Sequence, residues 1–329
     1  MKILITGASG RVGRELVRDR QARGDAVRAL VLPGDPGAET LAAEGVEVVA
    51  GSLTDRNAVA AAVDGVDAVA HLAAAMLWTP DADRELFDQN IGGTFNLLQA
   101  AAAAGRPLRR FFLASSDEVY PSLQARYLPI DEQHPQAPYS FYGLTKEVDE
   151  RIARYYHRAH GIPVTIGRFA LIARAEEILR PDGWSGRFLF AAPMAGLFRA
   201  LGRADAAAAI EAACPGPDDR LLLAMDEDGR PYEFHLCDVR DVVAGISLQI
   251  DSRSAVGEAF NLSGPAPFSY RVAVEALHRA FGLPYVEVRI PGAPIRLSHD
   301  ISKARSLLGY TPKFDISKII SKLAMAQSA

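Results

Sequence analysis

A glycine-rich segment directly after a short apolar stretch constrains the fold of this chain more than any other feature. The apolar stretch, residues 3–6, predicts a buried parallel strand, and residues 13–23 after it predict an amphipathic helix. The G-x-x-G-x-x-G spacing permits a tight turn and a close approach of phosphate to the backbone. The helix N-terminus adds free N–H groups and a positive dipole end. We therefore expect a dinucleotide to contact this loop through Gly7, Ser9, Gly10, Arg11, Val12 and Gly13.

Strand-like and helix-like segments alternate after this loop. Helices between short apolar strands are typical of βαβ units and a parallel sheet. The fold class that we predict is α/β, with a Rossmann-type doubly wound parallel sheet of six strands. After the first strand and helix, the predicted strands cover residues 26–32, 46–50, 66–72, 110–115 and 163–169, and the predicted helices cover residues 40–44, 55–63, 86–104 and 142–160.

The alternation stops after Ile172. Residues 174–230 are rich in Ala, Gly, Pro and Arg without a strand–helix rhythm, and we interpret them as an insertion that covers a substrate pocket. We expect a cofactor-binding Rossmann domain at residues 1–172, to which residues 234–262 partly return, and a smaller C-terminal substrate lobe at 173–329. Regular segments are predicted within these parts at residues 234–235, 239–250, 259–262, 270–280 and 301–308.

Composition and charge argue against several classes of partner. The 36 basic and 40 acidic residues are spread along the chain without a basic tract, so nucleic acid is not an expected partner. The two cysteines, Cys214 and Cys237, provide neither a disulfide framework nor a CxxC motif, and no metal site is predicted. No apolar run reaches the roughly 18 residues that a membrane span needs. We expect a cytoplasmic protein that has no membrane partner.

The choice between NAD and NADP stays open at this stage. Enzymes that use NAD usually place an acidic residue at the end of the second strand, where it binds the ribose 2′-hydroxyl. Val31 and Leu32 take that place here, and Asp35 follows only after a Pro-Gly turn. Arg11 is either a partner for a 2′-phosphate or a solvated residue at the start of the helix. We favour NAD, with NADP as the alternative.

Tyr142 and Lys146 are four residues apart and therefore share one face of a predicted helix. A lysine ammonium and a positive nicotinamide ring both favour tyrosinate, so we expect the pKa of Tyr142 to be lowered toward the working range. Ser116 ends an apolar strand, and ligands of doubly wound sheets bind beyond the carboxyl ends of strands. The pattern predicts a proton-transfer group, while a surface helical pair and a turn-capping serine are the simpler alternatives.

Taken together, these segments resemble the extended short-chain dehydrogenase/reductases, the family of NAD-dependent sugar epimerases and dehydratases. Further segments carry the likeness: residues 71–74 (HLAA), 90–94 (NIGGT), 115–120 (SSDEVY) and 300–312. The resemblance implies that Tyr142 exchanges a proton with the substrate hydroxyl, that Lys146 tunes Tyr142 and that Ser116 orients the oxygen. It also implies cofactor contacts beyond the glycine loop, at Ser52, Leu53, Leu72, Ala73, Ala74, Asn90, Tyr142, Lys146, Phe169 and Ile172.

Asp117 and Glu118 follow Ser116 as they do in the nucleotide-sugar 4,6-dehydratases, where such residues serve as acid and base. We keep both as candidate catalytic residues, with a solvated turn as the alternative. Leu171 stands where family members that bind sugar nucleotides often have asparagine. Arg230 and Arg296 are only approximate replacements for the arginines that bind the nucleotide in those members.

The resemblance leaves more than one function open. The first is an enzyme of epimerase or dehydratase type that acts on a carbohydrate or a sugar nucleotide. The alternative is a simple NAD(P)-dependent dehydrogenase or reductase of a free sugar, a sugar acid or a small carbinol. A dinucleotide sensor without turnover is disfavoured, because a sensor needs only the glycine loop. The predicted helices 86–104 and 142–160 resemble the family's dimer interface, so we expect a homodimer.

Overall fold

A parallel sheet of seven strands forms the centre of the computed structural model, which describes residues 1–77, 79, 81–216 and 220–327. The strands along the chain are β1 (Lys2–Thr6), β2 (Ala26–Val31), β3 (Glu47–Ala50), β4 (Ala68–His71), β5 (Arg110–Ser116), β6 (Val164–Phe169), β7 (Leu171–Ala173), β8 (Leu221–Met225), β9 (Glu233–Phe234), β10 (Leu236–Asp238), β11 (Ala259–Leu262), β12 (Phe268–Ser269) and β13 (Tyr285–Arg289). The order in the central sheet is β11-β6-β5-β4-β1-β2-β3, and every pairing in it is parallel. The predicted doubly wound fold is confirmed, with β11 as a seventh strand that the sequence analysis did not add to the sheet.

Helices cover both faces of this sheet. The α-helices of the described residues are α1 (Arg11–Ala22), α2 (Ala38–Ala43), α3 (Arg56–Val63), α4 (Asp83–Leu86), α5 (Gly93–Ala103), α6 (Phe141–His160), α7 (Ala191–Ala200), α8 (Ala204–Ala213), α9 (Val239–Asp251), α10 (Tyr270–Phe281), α11 (Ser302–Leu308) and α12 (Ile316–Gln327). One apolar core lies between the sheet and helices α1, α2, α9 and α11, and a second lies between the sheet and α3, α5 and α6. The strand order reverses at β1, so the carboxyl ends of β1 and β4 border the crevice where doubly wound sheets bind ligands.

The predicted helix 86–104 is interrupted. A π-helical segment, Phe87–Gly92, separates α4 from α5. The wider turn carries Asn90 into the interior, where it is 1% exposed. Such π segments often occur at functional sites. Among the described residues, every helix is too short or too polar to cross a lipid bilayer.

Residues 174–230, for which the sequence shows no strand–helix rhythm, nevertheless contain regular elements. Helices α7 and α8 and strand β8 lie within it, and their apolar faces share a core with β13, α10 and α12. Runs of alanine show weak hydrophobic periodicity, so the composition of this stretch gives no clear pattern of alternating strands and helices. Strand β13 and helix α12 were also absent from the sequence analysis.

Candidate active site

The glycine loop after β1 has room for side chains only at its non-glycine positions. Gly7 has φ +69°, and a Cβ atom there would lie 2.9 Å from the amide nitrogen of Ala73. A Cβ atom on Gly13 would lie 2.0 Å from the carbonyl oxygen of Gly7, so only glycine lets α1 begin this close to the loop. No side chain caps the N-terminus of α1, which follows the carboxyl end of β1, so the first N–H groups of the helix are suited to a pyrophosphate. These residues fit a dinucleotide.

Two side chains of the loop are held by residues distant in the sequence. Ser9 donates a hydrogen bond of 2.7 Å to Asp35, whose other carboxylate oxygen accepts from the amide of Gly37. The turn after β2 therefore folds the Asp35 carboxylate back onto the glycine loop. Arg11 forms an ion pair with Glu177 and donates to the carbonyl oxygen of Ile172. The guanidinium of Arg11 is therefore held by protein groups, although its side chain remains 32% exposed.

Asn90 holds the segment that follows β4. Its amide oxygen accepts from the backbone N–H of Ala75 at 2.7 Å, and its amide nitrogen donates to the carbonyl oxygen of Ala75 and to Thr145 Oγ1. Because these bonds use both amide protons, Asn90 acts on the site by fixing this segment against α6.

The other predicted cofactor residues lie around the same edge of the sheet. Ser52 Oγ is 2.8 Å from Thr54 Oγ1, and Leu53 packs against Gly93 of α5. The amides of Leu72 and Ala73 donate to Thr6 Oγ1 at the end of β1. Val12 and Phe169 pack on the core, and Ala74 lies beside Tyr142.

Ser116, Tyr142 and Lys146 come together, as their motif predicts. Ser140 caps α6 by accepting from the amide of Gly143 at 2.8 Å, which places Tyr142 in the first turn. The Tyr142 phenol forms a hydrogen bond with the Ser116 side chain at the end of β5. Lys146 Nζ lies 5.8 Å from the centroid of the Tyr142 ring. A phenol, a strand-end hydroxyl and an ammonium therefore share one small region.

The protein by itself does not lower the pKa of Tyr142, although the expectation also counted the positive charge of a bound nicotinamide ring. Burial raises the pKa of Tyr142, and the negative charges of Glu118, Asp117 and Asp149 raise it further, against the hydrogen bond of Ser116. The Lys146 ammonium lies 3.6 Å from Asp149, and both side chains are buried. Burial also raises the pKa of Asp149 to about 7, although Lys146 opposes this shift. Lys146 therefore forms an ion pair with Asp149, a carboxylate that the sequence analysis did not consider.

Asp117 and Glu118 have different surroundings. Glu118 accepts a hydrogen bond from Ser140, so it supports the cap of α6. Asp117 Oδ1 accepts a hydrogen bond of 3.2 Å from Ser116, and its Oδ2 lies 3.5 Å from His299 Nε2. Burial raises the pKa of Asp117 to about 7, and the charge of Glu118 adds to this shift. Asp117 can therefore gain or lose a proton near neutral pH beside the Tyr142–Ser116 pair.

Sequence reasoning missed the buried ion pair that connects α6 to β5 and β6. Glu150 accepts two hydrogen bonds from Arg168, at 2.8 and 2.7 Å, and a third from Ser115 at 2.7 Å. Burial opposes ionisation of Glu150, but Arg168 outweighs it and lowers the pKa of Glu150. The four-residue spacing from Lys146 to Glu150 is a signal that could have found it, because it places both on one helix face.

His71 at the end of β4 connects β1 to α5. Its Nδ1 lies 2.8 Å from Thr6 Oγ1, and its Nε2 lies 3.0 Å from Thr94 Oγ1. Burial lowers the pKa of His71 to about 3, and the nearby charge of Lys146 adds to this shift. A neutral His71 therefore links the end of β1 to helix α5.

The two arginines that were considered for binding a nucleotide form ion pairs with carboxylates. Arg230 pairs with Asp226 and Asp228 and is largely exposed. Arg296 donates to Asp226 at 2.8 Å and to the carbonyl oxygen of Pro231.

Comparisons with known proteins agree with this architecture. Residues 3–191 match the model of the NAD dependent epimerase/dehydratase family. A short-chain dehydrogenase/reductase superfamily protein from Agrobacterium tumefaciens, solved with bound NAD, is 36% identical and superposes with a TM-score of 0.88 over 100% of this chain and 97% of its own. The chain therefore belongs to the NAD-dependent epimerase/dehydratase family.

Two curated relatives differ in their reactions. The L-arabinose 1-dehydrogenase (NAD(P)(+)) of Haloferax volcanii is 32% identical over 190 residues, which cover 54% of this chain and 69% of that protein. The UDP-glucose 4-epimerase of Streptococcus mutans is 28% identical over 98% of this chain and 95% of its own. Family membership is therefore compatible with both kinds of reaction.

Proposed function

We propose that the protein is an NAD-dependent oxidoreductase of epimerase/dehydratase type that acts on a carbohydrate or a sugar nucleotide. The observation that carries the proposal is the meeting of Ser116, Tyr142 and Lys146 beside a glycine loop that fits a dinucleotide. Family membership and a relative solved with NAD support the same cofactor.

In this proposal, Tyr142 takes the proton of the substrate hydroxyl while the carbon–hydrogen bond of the carbinol is broken. Bound NAD supplies the hydride acceptor and a positive ring charge that favours the phenolate. Ser116 donates to the substrate oxygen, and Lys146, which forms an ion pair with Asp149, holds the ribose. Asp117 and Glu118 remain candidate catalytic residues, of which Asp117 is the one next to the Ser116 hydroxyl.

Asp35 supports NAD over NADP. Its carboxylate lies on the glycine loop through the hydrogen bond from Ser9, near where the adenosine ribose enters in this fold. A carboxylate accepts hydrogen bonds from ribose hydroxyls and repels a 2′-phosphate.

The first substrates to examine are sugars with and without a nucleotide. The epimerase relative that matches almost the whole chain supports a sugar nucleotide. The pairing of Arg230 and Arg296 with carboxylates, together with the arabinose dehydrogenase relative, favours the alternative of a dehydrogenase for a free sugar or sugar acid.

A substrate screen separates these reactions. Purified protein is incubated with NAD and, separately, UDP-glucose, UDP-glucuronic acid, L-arabinose and glucuronic acid. An epimerase or dehydratase changes the sugar, as observed by NMR, without accumulation of NADH, because the hydride returns to the product. Stoichiometric NADH supports the dehydrogenase. Failure to bind NAD refutes both.

Tyr142→Phe tests the proton-transfer group. General acid–base catalysis contributes about 10²- to 10⁴-fold, so turnover should fall by that factor while NAD affinity stays unchanged. Tyr155→Phe is the matched control, because Tyr155 lies on the same helix and is exposed. Equal turnover in the Tyr142 and Tyr155 variants would remove Tyr142 from this role.

We also propose a homodimer that forms through α5 and α6. Phe95 and Leu144 are exposed apolar side chains on these helices, and Phe87 of the preceding π segment is 48% exposed. Burying them against the same patch of a second copy would remove them from water. Light scattering that gives a monomer would refute the dimer. A cytoplasmic location is part of the proposal. It agrees with the reduced state of the buried Cys237, whose thiol lies beside Tyr310.

A further inference from the structure

The segment that follows β7 contacts the glycine loop. We call residues 174–188 the strap; they contain two short 3₁₀ turns, Ala175–Leu179 and Gly186–Phe188. Ile178 in the first turn is fully buried in the apolar core that α7, α8 and β8 share with α10 and α12. The strap is therefore anchored in the C-terminal part of the chain, while its contacts with the glycine loop reach the part that receives the cofactor.

Arg11 is the residue through which the glycine loop contacts the strap. Its guanidinium forms an ion pair with Glu177 in the first turn of the strap. The hydroxyl of Ser185 donates to the same oxygen of Glu177 at 3.3 Å. The guanidinium carbon of Arg11 also lies 5.6 Å from the centroid of the Trp184 ring. One side chain of the loop is thus connected to both halves of the strap.

A second connection runs from the strap to helix α1. Arg174 donates to the backbone carbonyl oxygen of Arg11 at 3.4 Å and to the carboxylate of Glu15 at 3.3 Å. The strap itself is compact, because a Cβ atom on Gly183 would lie 2.3 Å from the carbonyl oxygen of Glu177. The strap therefore contacts the start of α1, where the first N–H groups are suited to a pyrophosphate.

Glu177 lies among positive charges. Besides Arg11, the guanidinium of Arg187 is attracted by the Glu177 carboxylate. The charges of Arg174 and Arg187 both repel that of Arg11. Glu177 is 17% exposed, so water screens these interactions only in part. Loss of its charge would leave mutually repelling arginines on the strap and on the loop, which favours their separation.

We propose that Glu177 is a positioning residue that holds Arg11 and the strap against the glycine loop, so that bound NAD leaves only when this ion pair opens. The inference rests on the proposed function, since it takes NAD as the cofactor, and it deepens that function. An enzyme that returns the hydride to its product has to keep the reduced cofactor between two half-reactions. In a dehydrogenase, which exchanges the cofactor in every turnover, opening of the strap would limit the rate.

The first experiment measures the binding kinetics of NADH, by stopped-flow fluorescence of the full-length protein without a sugar. Glu177→Gln should raise both the association and the dissociation rate constants by about five- to tenfold, the range for a partly buried ion pair. The Kd should stay nearly constant, because the ion pair is present with and without cofactor and so does not favour either state. Added salt should speed release from the wild type and have less effect on the variant.

Two further variants separate the ion pair from a general disturbance of the strap. Glu176→Gln is the matched control: Glu176 is 69% exposed and lies 3.8 Å from Arg174, so NADH should bind and leave at the wild-type rates. Arg11→Met breaks the same pair from the side of the loop. Adding Glu177→Gln to Arg11→Met should not increase the dissociation rate further, because the two substitutions remove one shared interaction.

The second experiment needs no cofactor. The chain has two tryptophans, so Trp78→Phe leaves Trp184 of the strap as the single fluorescent indole. In this background, Glu177→Gln should increase the quenching of Trp184 by acrylamide and shift its emission to longer wavelength. Glu176→Gln should change neither property.

The outcomes distinguish this inference from the proposed function. NADH that binds and leaves Glu177→Gln at the wild-type rates overturns the role of Glu177 and leaves the proposed function intact. A weaker Kd with an unchanged association rate overturns it also, because that result indicates a direct contact with the cofactor. A wild type that does not bind NADH refutes the proposed function and the retention of NAD with it, and equal quenching of Trp184 in both proteins shows that Glu177 does not hold the strap.

Discussion

Glu150→Gln should destabilise the protein far more than Glu147→Gln, a substitution on the same helix α6. Glu150 is 1% exposed and Arg168 is 4% exposed, and two hydrogen bonds join them. Glutamine keeps the shape but removes the charge, which leaves the guanidinium buried without a counter-ion. Breaking a buried pair in this way costs about 3–5 kcal/mol. Glu147→Gln removes only an ion pair with the exposed Arg151, which contributes about 0.3–0.5 kcal/mol.

Urea unfolding followed by circular dichroism measures both free energies of unfolding. We expect the two variants to differ by at least about 2 kcal/mol at neutral pH. The pKa of Glu150 is lowered in the folded protein, so its contribution is fully present above its unfolded value of about 4.3 and is lost as pH falls through the folded value. The difference in free energy of unfolding between the wild type and Glu150→Gln should therefore become smaller at acidic pH. A Glu150 variant as stable as the Glu147 variant would refute the reasoning.

Three further substitutions test the loop, the cofactor preference and a helix. Gly13→Ala should weaken NAD binding at least about tenfold in calorimetry, because its Cβ would lie 2.0 Å from a carbonyl oxygen and overpacking costs about 1–3 kcal/mol. Gly105→Ala is the control: a Cβ there would lie in open space, so this variant should bind NAD normally. Asp35→Asn should lower the ratio of NAD to NADP affinity, since it removes a charge that repels a 2′-phosphate; an unchanged ratio would contradict this role. Gly196→Ala, also in open space within α7, should raise the free energy of unfolding by about 0.5–1 kcal/mol, and a loss of stability would show that the helix tolerates no Cβ there.

Local patterns predicted the elements that support the site. The apolar strand, the glycine spacing and the amphipathic helix after it are consecutive in sequence, so β1 and α1 could be located directly. The spacing of Tyr142 and Lys146 is a property of one helix, so their shared face was predictable as well. The serine at the end of β5 followed from the rule that ligands bind at the carboxyl ends of parallel strands.

Contacts between distant segments were not predictable in this way. His299 reaches Asp117 across 182 positions of sequence, and nothing in its immediate neighbours marks it as part of the site. Asp149 lies three residues after Lys146, but a charged residue on a helix is usually solvated, and only the structure reveals that this one is buried. Burial, and after it nearby carboxylates that include Asp117 and Asp149, raises the pKa of Tyr142 in the protein by itself, and neither effect follows from the spacing of the motif.

Strand β11 has a consequence for any attempt to divide the protein. Strand β11 pairs with β6, whose residues are all buried. In the sequence, β11 lies after helices α7 and α8. A fragment ending near residue 191, where the match to the family model ends, would expose the backbone edge of β6 and its apolar neighbours. Exposed apolar edges invite strand addition between molecules. Such a fragment is expected to form inclusion bodies, and shorter expression products should retain the chain at least through Leu262.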